Sequence, residues 1–176
     1  MTLKELYATG NYDTDKGYHS YLPLYDDLFA PFRDQKINLL EVGYFKGGSL
    51  RLWEDYFTKA LIHGIDITDE YRQESGAAFQ SGRVTTSVMN IRHLCSEDMA
   101  YNPPDIAIDD GSHKIQDQLI FIETVLPMLR PGGILIVEDI SYLEKVGHLF
   151  RDMGAEIIDL RSKRLLGDDV LAIFRK

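Results

Sequence analysis

Two short strings carry the residue types that can do chemistry: Asp109-Asp110-Gly111-Ser112-His113 and Glu138-Asp139. Each follows an aliphatic run, so each is expected where a strand ends. Four carboxylates gathered at one place repel one another and raise their own pKa values, and a divalent cation resolves that repulsion. The donors are mainly oxygen, with no cysteine in either string and histidine only at the margin, which points to Mg²⁺ or Mn²⁺ in preference to zinc. A hydroxyl beside such an ion loses its proton more easily. His113, three residues after Asp110, is placed to take that proton, a role worth roughly 10² to 10⁴ in rate. It is expected in the first turn of a helix, whose N-terminus keeps a nearby imidazole neutral.

A second constellation lies earlier in the chain. The run Leu40-Glu41-Val42-Gly43-Tyr44-Phe45-Lys46-Gly47-Gly48-Ser49 leads into Leu50, Trp53 and Phe57 at helical spacing. Glycines at a strand-to-helix turn allow positive φ and close approach of a ligand, and the free N–H groups of the helix start attract a carboxylate. The spacing is G-x-x-x-G-G, whereas a dinucleotide pyrophosphate calls for G-x-G-x-x-G. Asp66 lies 23 residues after Gly43, where an acid at the next strand end accepts ribose hydroxyls. Together these features favour a nucleoside-containing ligand, with Asn90 after the third strand as a weaker contact.

The elements that must hold these residues follow from periodicity. Strand-like runs at 37–42, 60–65, 83–87, 105–108 and 133–137 alternate with helical patterns, which predicts a parallel α/β sheet. The clearest helix follows Ser112, where Ile115, Leu119, Ile122, Leu126 and Leu129 form one apolar stripe, and Arg130-Pro131-Gly132-Gly133 stops it. Strands four and five are joined by this single crossover, so they are expected to be neighbours about 4.8 Å apart, with their acids at one edge. After a helix over 141–153, strands at 155–161 and 169–175 are separated by too short a loop for a helix and predict an antiparallel hairpin. The fold class is therefore α/β: a single doubly wound, mostly parallel, seven-stranded Rossmann-like sheet ending in that hairpin. Residues 1–36 form a helical N-terminal segment, a candidate lid, and 37–176 the core.

The same polar residues also suit helix capping: Asp110 or Ser112 for the helix after strand four, Asp139 or Ser141 for the one after strand five. Acids at both strand ends with a histidine in register favour the site. The Asn102-Pro103-Pro104-Asp105 string resembles an amino-methylating motif but stands before strand four, where it only breaks the chain. Arg161, Lys163 and Arg164 read as solvated hairpin-loop charges, Asp168-Asp169 as a turn, and Trp53 and Cys95 as packing residues.

The 176 residues fit one domain. With 19 Lys and Arg against 28 Asp and Glu, the net charge of -9 disfavours nucleic acid and anionic membrane surfaces. A single cysteine and the lack of any apolar leader or span point to a cytoplasmic protein.

The stretches DKGYHSYLPLYDDLFAPFR, LLEVGYFKGGSLRLWEDYF, IHGIDI, DIAIDDGSH and LRPGGILIVEDI resemble the metal-dependent sugar O-methyltransferases of macrolide biosynthesis, of mycinamicin and macrocin type, over most of 13–140. The terminal hairpin is likewise an arrangement associated with class I S-adenosylmethionine-dependent methyltransferases. The resemblance implies transfer of a methyl group from S-adenosylmethionine to a hydroxyl of a sugar or other diol-bearing small molecule. Asp110, Glu138 and Asp139 would be ligands of Mg²⁺ or Mn²⁺, and His113 the base. Glu41, Gly43, Gly47, Gly48, Ser49, Asp66, Asn90 and Asp109 would bind the cofactor, with Lys16 and His19 as further candidates for its carboxylate. The macrolide enzymes are longer, so acceptor identity does not carry over, and oligomeric state stays open. The rival readings are a non-catalytic S-adenosylmethionine-binding or assembly protein and, disfavoured by the loop spacing, a nicotinamide-dependent oxidoreductase.

Overall fold

A computed structural model describes residues 1–75, 79, 81–95, 102–161 and 167–176. Helices α1 (Leu3–Thr9) and α2 (Leu22–Phe29) precede β1 (Asn38–Val42), α3 (Gly48–Tyr56), β2 (Leu61–Asp66), α4 (Glu70–Ser75) and β3 (Val84–Val88). Strand β4 (Ile106–Asp109), α5 (Ile115–Val125), β5 (Ile134–Val137), α6 (Leu143–Asp152), β6 (Glu156–Asp159) and β7 (Val170–Arg175) follow among the described residues. The seven strands run in the order β3-β2-β1-β4-β5-β7-β6. Strand β7 is antiparallel to both β5 and β6, and the remaining pairs are parallel. This is the doubly wound sheet with a terminal hairpin expected from the pattern, and β4 and β5 are neighbours, with Asp109 level with Val137.

Side-chain alternation divides the core in two. Leu39, Ile108 and Ile136 pack on one face with Tyr21, Tyr25, Phe29 and Trp53. Leu40, Val42, Ala107, Leu135 and Val137 pack on the other with Phe121, Ile122 and Phe150. The N-terminal segment thus shares the core of the sheet: Leu3, Tyr25 and Phe29 are fully buried in the first cluster.

Helix α5 differs from its expected apolar stripe. Its buried residues are Asp117, Gln118, Phe121, Ile122 and Val125, whereas Ile115, Leu119 and Leu126 are only partly covered. Two polar residues turn inward because each finds partners there. The Gln118 amide donates to the Glu138 carbonyl at 3.0 Å, and Asp117 accepts from Arg92 Nε at 2.7 Å and Ser112 Oγ at 2.6 Å. Cys95, expected to pack, is exposed. Arg161 pairs with Glu144 and Asp159, while Lys163 and Arg164 lie outside the described residues.

Gly43 sits at the close approach of β1 and β4. It has φ +89°, and a Cβ there would lie 1.9 Å from the Asp110 carbonyl oxygen. Gly132 has a similar φ of +82° with open space around it. Gly43→Ala is expected to destabilise the protein by about 3 kcal/mol or more, since backbone must move. Gly132→Ala should cost only the left-handed penalty, roughly 1–2 kcal/mol. Urea denaturation of the two variants checks the contrast.

Candidate functional site

The parallel strands β1, β4 and β5 end together, and their alternation decides where each acid points. Glu41 follows Leu39 by two residues, Asp110 follows Ile108 and Glu138 follows Ile136, so all three fall on the face covered by the N-terminal segment. There they meet Lys16, whose ammonium is fully buried and donates to Asp110 Oδ2 and Glu138 Oε1, both at 2.7 Å, with Glu41 Oε1 at 3.4 Å. Burial pulls the Lys16 amine down, but Asp110, Glu138 and Glu41 outweigh it and hold it well above its ordinary range. Burial conversely raises Glu138 and Glu41, with Lys16 opposing in both cases. Glu138 Oε1 also accepts from the Tyr25 hydroxyl at 2.5 Å, and Glu41 Oε2 from Ser49 Oγ at 2.8 Å.

Asp109 faces the opposite way. It is buried, accepts from the Gly111 N–H at 3.2 Å, and is pushed up to about 7 by burial. Asp139 breaks the alternation, because its backbone is left-handed with φ +53°, as is that of His113 with φ +56°. Such conformations are costly for non-glycine residues and gather at functional sites. They bring Asp139 Oδ2 and Asp110 Oδ1 each to 3.4 Å from His113 Nε2. The ligand atoms of Asp110, His113 and Asp139 lie within 4.8 Å of one another, a spacing able to hold a metal ion.

None of the four candidate caps is used as one. The N-cap residues of α5 and α6 are Lys114 and Tyr142, neither with a side-chain cap bond. Ser112 Oγ instead donates to Asp117, and the Asp110 and Asp139 carboxylates remain in the cluster. His113 stands before α5, not in its first turn. The expectation of a depressed imidazole is overturned, since the Asp110 hydrogen bond and the surrounding carboxylates raise it against desolvation.

Beside the cluster is a cavity of about 580 Å³, walled by Gly43, Ser49, Asp66, Asn90, Asp110 and His113 together with Asp13, Thr14 and Asp15. Its size suits a small-molecule ligand. Asp66 accepts from Phe45 N–H at 2.8 Å and Ile67 N–H at 2.7 Å, which fixes its carboxylate at the rim. Asn90 accepts from Arg92 N–H. Gly47, with φ +84°, starts α3, and a Cβ on Gly48 would meet the Asp13 carbonyl oxygen at 2.0 Å. The structure brings Gly43, Ser49, Asp66, Asn90, Asp110 and His113 to one cavity. It leaves Glu41, Gly47, Gly48, Asp109, Glu138 and Asp139 outside the wall.

Lys16 and His19 are also directed elsewhere. Lys16 enters the carboxylate nest. His19 Nδ1 lies 2.6 Å from Asp169 Oδ1, making Asp169 a buried ionic partner and not merely a turn residue. Tyr21 and Tyr25 stand with Lys16 and His19 in an N-terminal string that could fold over the cofactor, but nothing in the sequence marks them as partners of these acids, and Asp169 reads there only as a turn residue. Asp110, Asp139 and Glu138, which accept from Lys16, Tyr21 and Tyr25, lie about a hundred residues or more away in sequence, and only the fold supplies them.

The Asp15 carboxylate, with Asp139 and Asp169, raises His19 to about 9 despite desolvation. A histidine whose pKa is higher in the folded than in the unfolded chain, where it is about 6.5, adds stability at low pH. That contribution is lost as pH rises through the folded value. His19→Gln should therefore reduce stability most below pH about 6.5, with the difference from the parent fading through pH about 9; thermal melts across that range check it.

Comparison with known proteins fits this geometry. Residues 40–140 match a family described as "Methyltransferase domain". The chain is 36% identical over 132 residues to the 8-demethyl-8-alpha-L-rhamnosyl tetracenomycin-C 2'-O-methyltransferase of Streptomyces olivaceus, covering 71% of this chain and 34% of that protein. It is 35% identical over 144 residues to demethylmacrocin O-methyltransferase of Streptomyces fradiae, covering 75% of this chain and 35% of that protein. The chain thus spans about a third of the length of these relatives. Among solved structures, the MycE methyltransferase from the mycinamycin biosynthetic pathway, in complex with Mg and SAH, superposes with a TM-score of 0.66 at 32% identity, over 79% of this chain and 37% of that one. The matched span runs from β1 through β5 and contains the glycine loop and both acidic strand ends, and on that match the chain belongs to the methyltransferase-domain family.

Proposed function

We propose that this chain transfers a methyl group from S-adenosylmethionine to a hydroxyl of a sugar or other diol-bearing small molecule, with Mg²⁺ or Mn²⁺ at the Asp110–Asp139 pair. One observation carries the reading: a cavity walled by the glycine loop, Ser49, Asp66 and Asn90 opens directly onto Asp110 and His113. Similarity to sugar O-methyltransferases, and to a structure holding Mg and SAH, supports it.

The donor set fits a hard divalent ion. Glu41, Asp110 and Glu138 converge on the ammonium of Lys16, and Asp139 lies 3.7 Å from His19 Nδ1; these four carboxylates outnumber the two cations, so negative charge stays in excess at the edge. Asp110 and Asp139 have oxygens toward His113, whereas Glu138 is engaged by Lys16 and Tyr25. Asp110 and Asp139 are therefore the primary ligands in this reading. The ion would supply a Lewis acid that acidifies a neighbouring hydroxyl and offsets the carboxylate field that raises His113.

The remaining roles fall to the chain. Gly43, Tyr44 and Phe45 of the glycine turn line the cavity in which the cofactor would lie, and Ser49, in the first turn of α3, would face its carboxylate end. Asp66 accepts the ribose hydroxyls while its own oxygens stay anchored by Phe45 and Ile67. His113, partly exposed at the cavity wall, removes the acceptor proton as its oxygen attacks the methyl carbon, and the thioether leaves. Positioning and proton removal are the two things such an in-line transfer requires.

Turnover with S-adenosylmethionine and a panel of methyl glycosides and glycosylated polyketides, with and without EDTA, tests the proposal. Methyl transfer is expected to vanish with EDTA and return with Mg²⁺. His113→Ala should lower the rate by about 10² to 10⁴ while still binding S-adenosylhomocysteine in calorimetry. Binding of NAD in preference to S-adenosylhomocysteine would overturn the reading. Loss of Mn²⁺ binding in His113→Ala would make the histidine a ligand in place of the base.

A further inference from the structure

The two carboxylates nearest His113 each have one oxygen held and one turned toward the imidazole. Lys16 Nζ donates to Asp110 Oδ2 at 2.7 Å, leaving Oδ1 3.4 Å from His113 Nε2. The Tyr21 hydroxyl donates to Asp139 Oδ1, leaving Oδ2 3.4 Å from the same nitrogen. Both donors come from the N-terminal segment, and both are fully buried. Glu138, on the same face as Asp110, has Oε1 occupied by Lys16 and Tyr25.

We propose that Lys16 and Tyr21 are positioning residues that sort the carboxylate oxygens at this edge. They tie back one oxygen of Asp110 and one of Asp139 so that the other two converge as single-oxygen ligands for a divalent cation. The inference rests on the metal reading given above and goes beyond it by assigning ligand geometry to a segment outside the strands.

The physical argument is orientational. A free carboxylate rotates about its last torsion and can offer either oxygen or both. A charge-assisted hydrogen bond to one oxygen fixes that torsion and leaves the other oxygen's lone pairs pointing the opposite way. Two residues with strained left-handed backbones, His113 and Asp139, would gain little from a fixed main chain if their neighbouring carboxylates could still swing. Partners that orient ligands in this way commonly affect metal affinity by 10- to 100-fold.

The test is Mn²⁺ affinity, read by electron paramagnetic resonance of the free ion on the full chain. Tyr21→Phe removes one hydroxyl while keeping the ring in the core and is expected to weaken Mn²⁺ about tenfold. Tyr56→Phe is the control, because Tyr56 is equally buried and its hydroxyl donates to Asp26 at 2.9 Å, away from the acidic edge. It should leave Mn²⁺ affinity unchanged even where thermal stability falls. Lys16→Met should weaken Mn²⁺ at least as much where it folds; the tyrosine pair decides the question where it does not. Equal Mn²⁺ affinity in the parent and Tyr21→Phe overturns the inference alone, as does equal weakening in both tyrosine variants. Failure of the parent to bind Mn²⁺ overturns the metal reading and the inference with it.

Discussion

One lysine ammonium, sealed from water among Glu41, Asp110 and Glu138, is the constraint on which the rest of this edge depends. An isolated charge buried in this way would be prohibitively costly, and so would each carboxylate without a counter-charge. The nest is tolerable only as a unit. Lys16 lies in the N-terminal segment, and its three partners lie at or just beyond the ends of β1, β4 and β5, so the unit closes only when the segment is docked and the three strands are in register. Loss of one partner from such a buried set typically costs about 3–5 kcal/mol, which makes it a determinant of docking as well as of site charge.

From that nest the chemistry becomes intelligible. Lys16 and, at Asp139, His19 balance only part of the negative charge, and Asp110 and Asp139 each keep one oxygen turned toward His113. Left-handed backbone at His113 and Asp139 turns these side chains toward one another, against the alternation that sends Asp109 to the other face. Strain at two positions and unbalanced charge between them sit next to a cavity walled by the glycine loop. The coincidence of all three explains why this edge, and not the 350 Å³ pocket at Leu39, Ile62 and Arg83, is where methyl transfer is proposed.

Much of this was readable beforehand. The terminal hairpin and the adjacency of β4 and β5 follow from element alternation and short connections. Several expectations fail, three of them at the site and its supporting helix, for identifiable reasons. The apolar stripe of α5 is rotated because Asp117 and Gln118 find hydrogen-bond partners on the inner side. The imidazole of His113 was expected to feel a helix terminus, but α5 begins at Ile115 and nearby carboxylates dominate. The sequence offers Lys16 as a cofactor contact, but the two acids nearest to it in the folded chain, Asp110 and Glu138, are 94 and 122 residues away in sequence.

The sequence by itself determined the sheet, the glycine turn and the collection of acids at one edge, because these depend on local periodicity and on chain connections that allow few alternatives. Even the shared face of Glu41, Asp110 and Glu138 is implicit in a two-residue alternation. The tertiary structure alone decided which oxygen of each carboxylate is tied back, that Lys16 and the tyrosines around it do the tying, and that Asp139 and His113 adopt left-handed backbones. Those outcomes depend on contacts across separations such as 94 residues for Lys16–Asp110 and 118 for Tyr21–Asp139, and no short-range pattern specifies a contact whose two halves meet only after the sheet has formed.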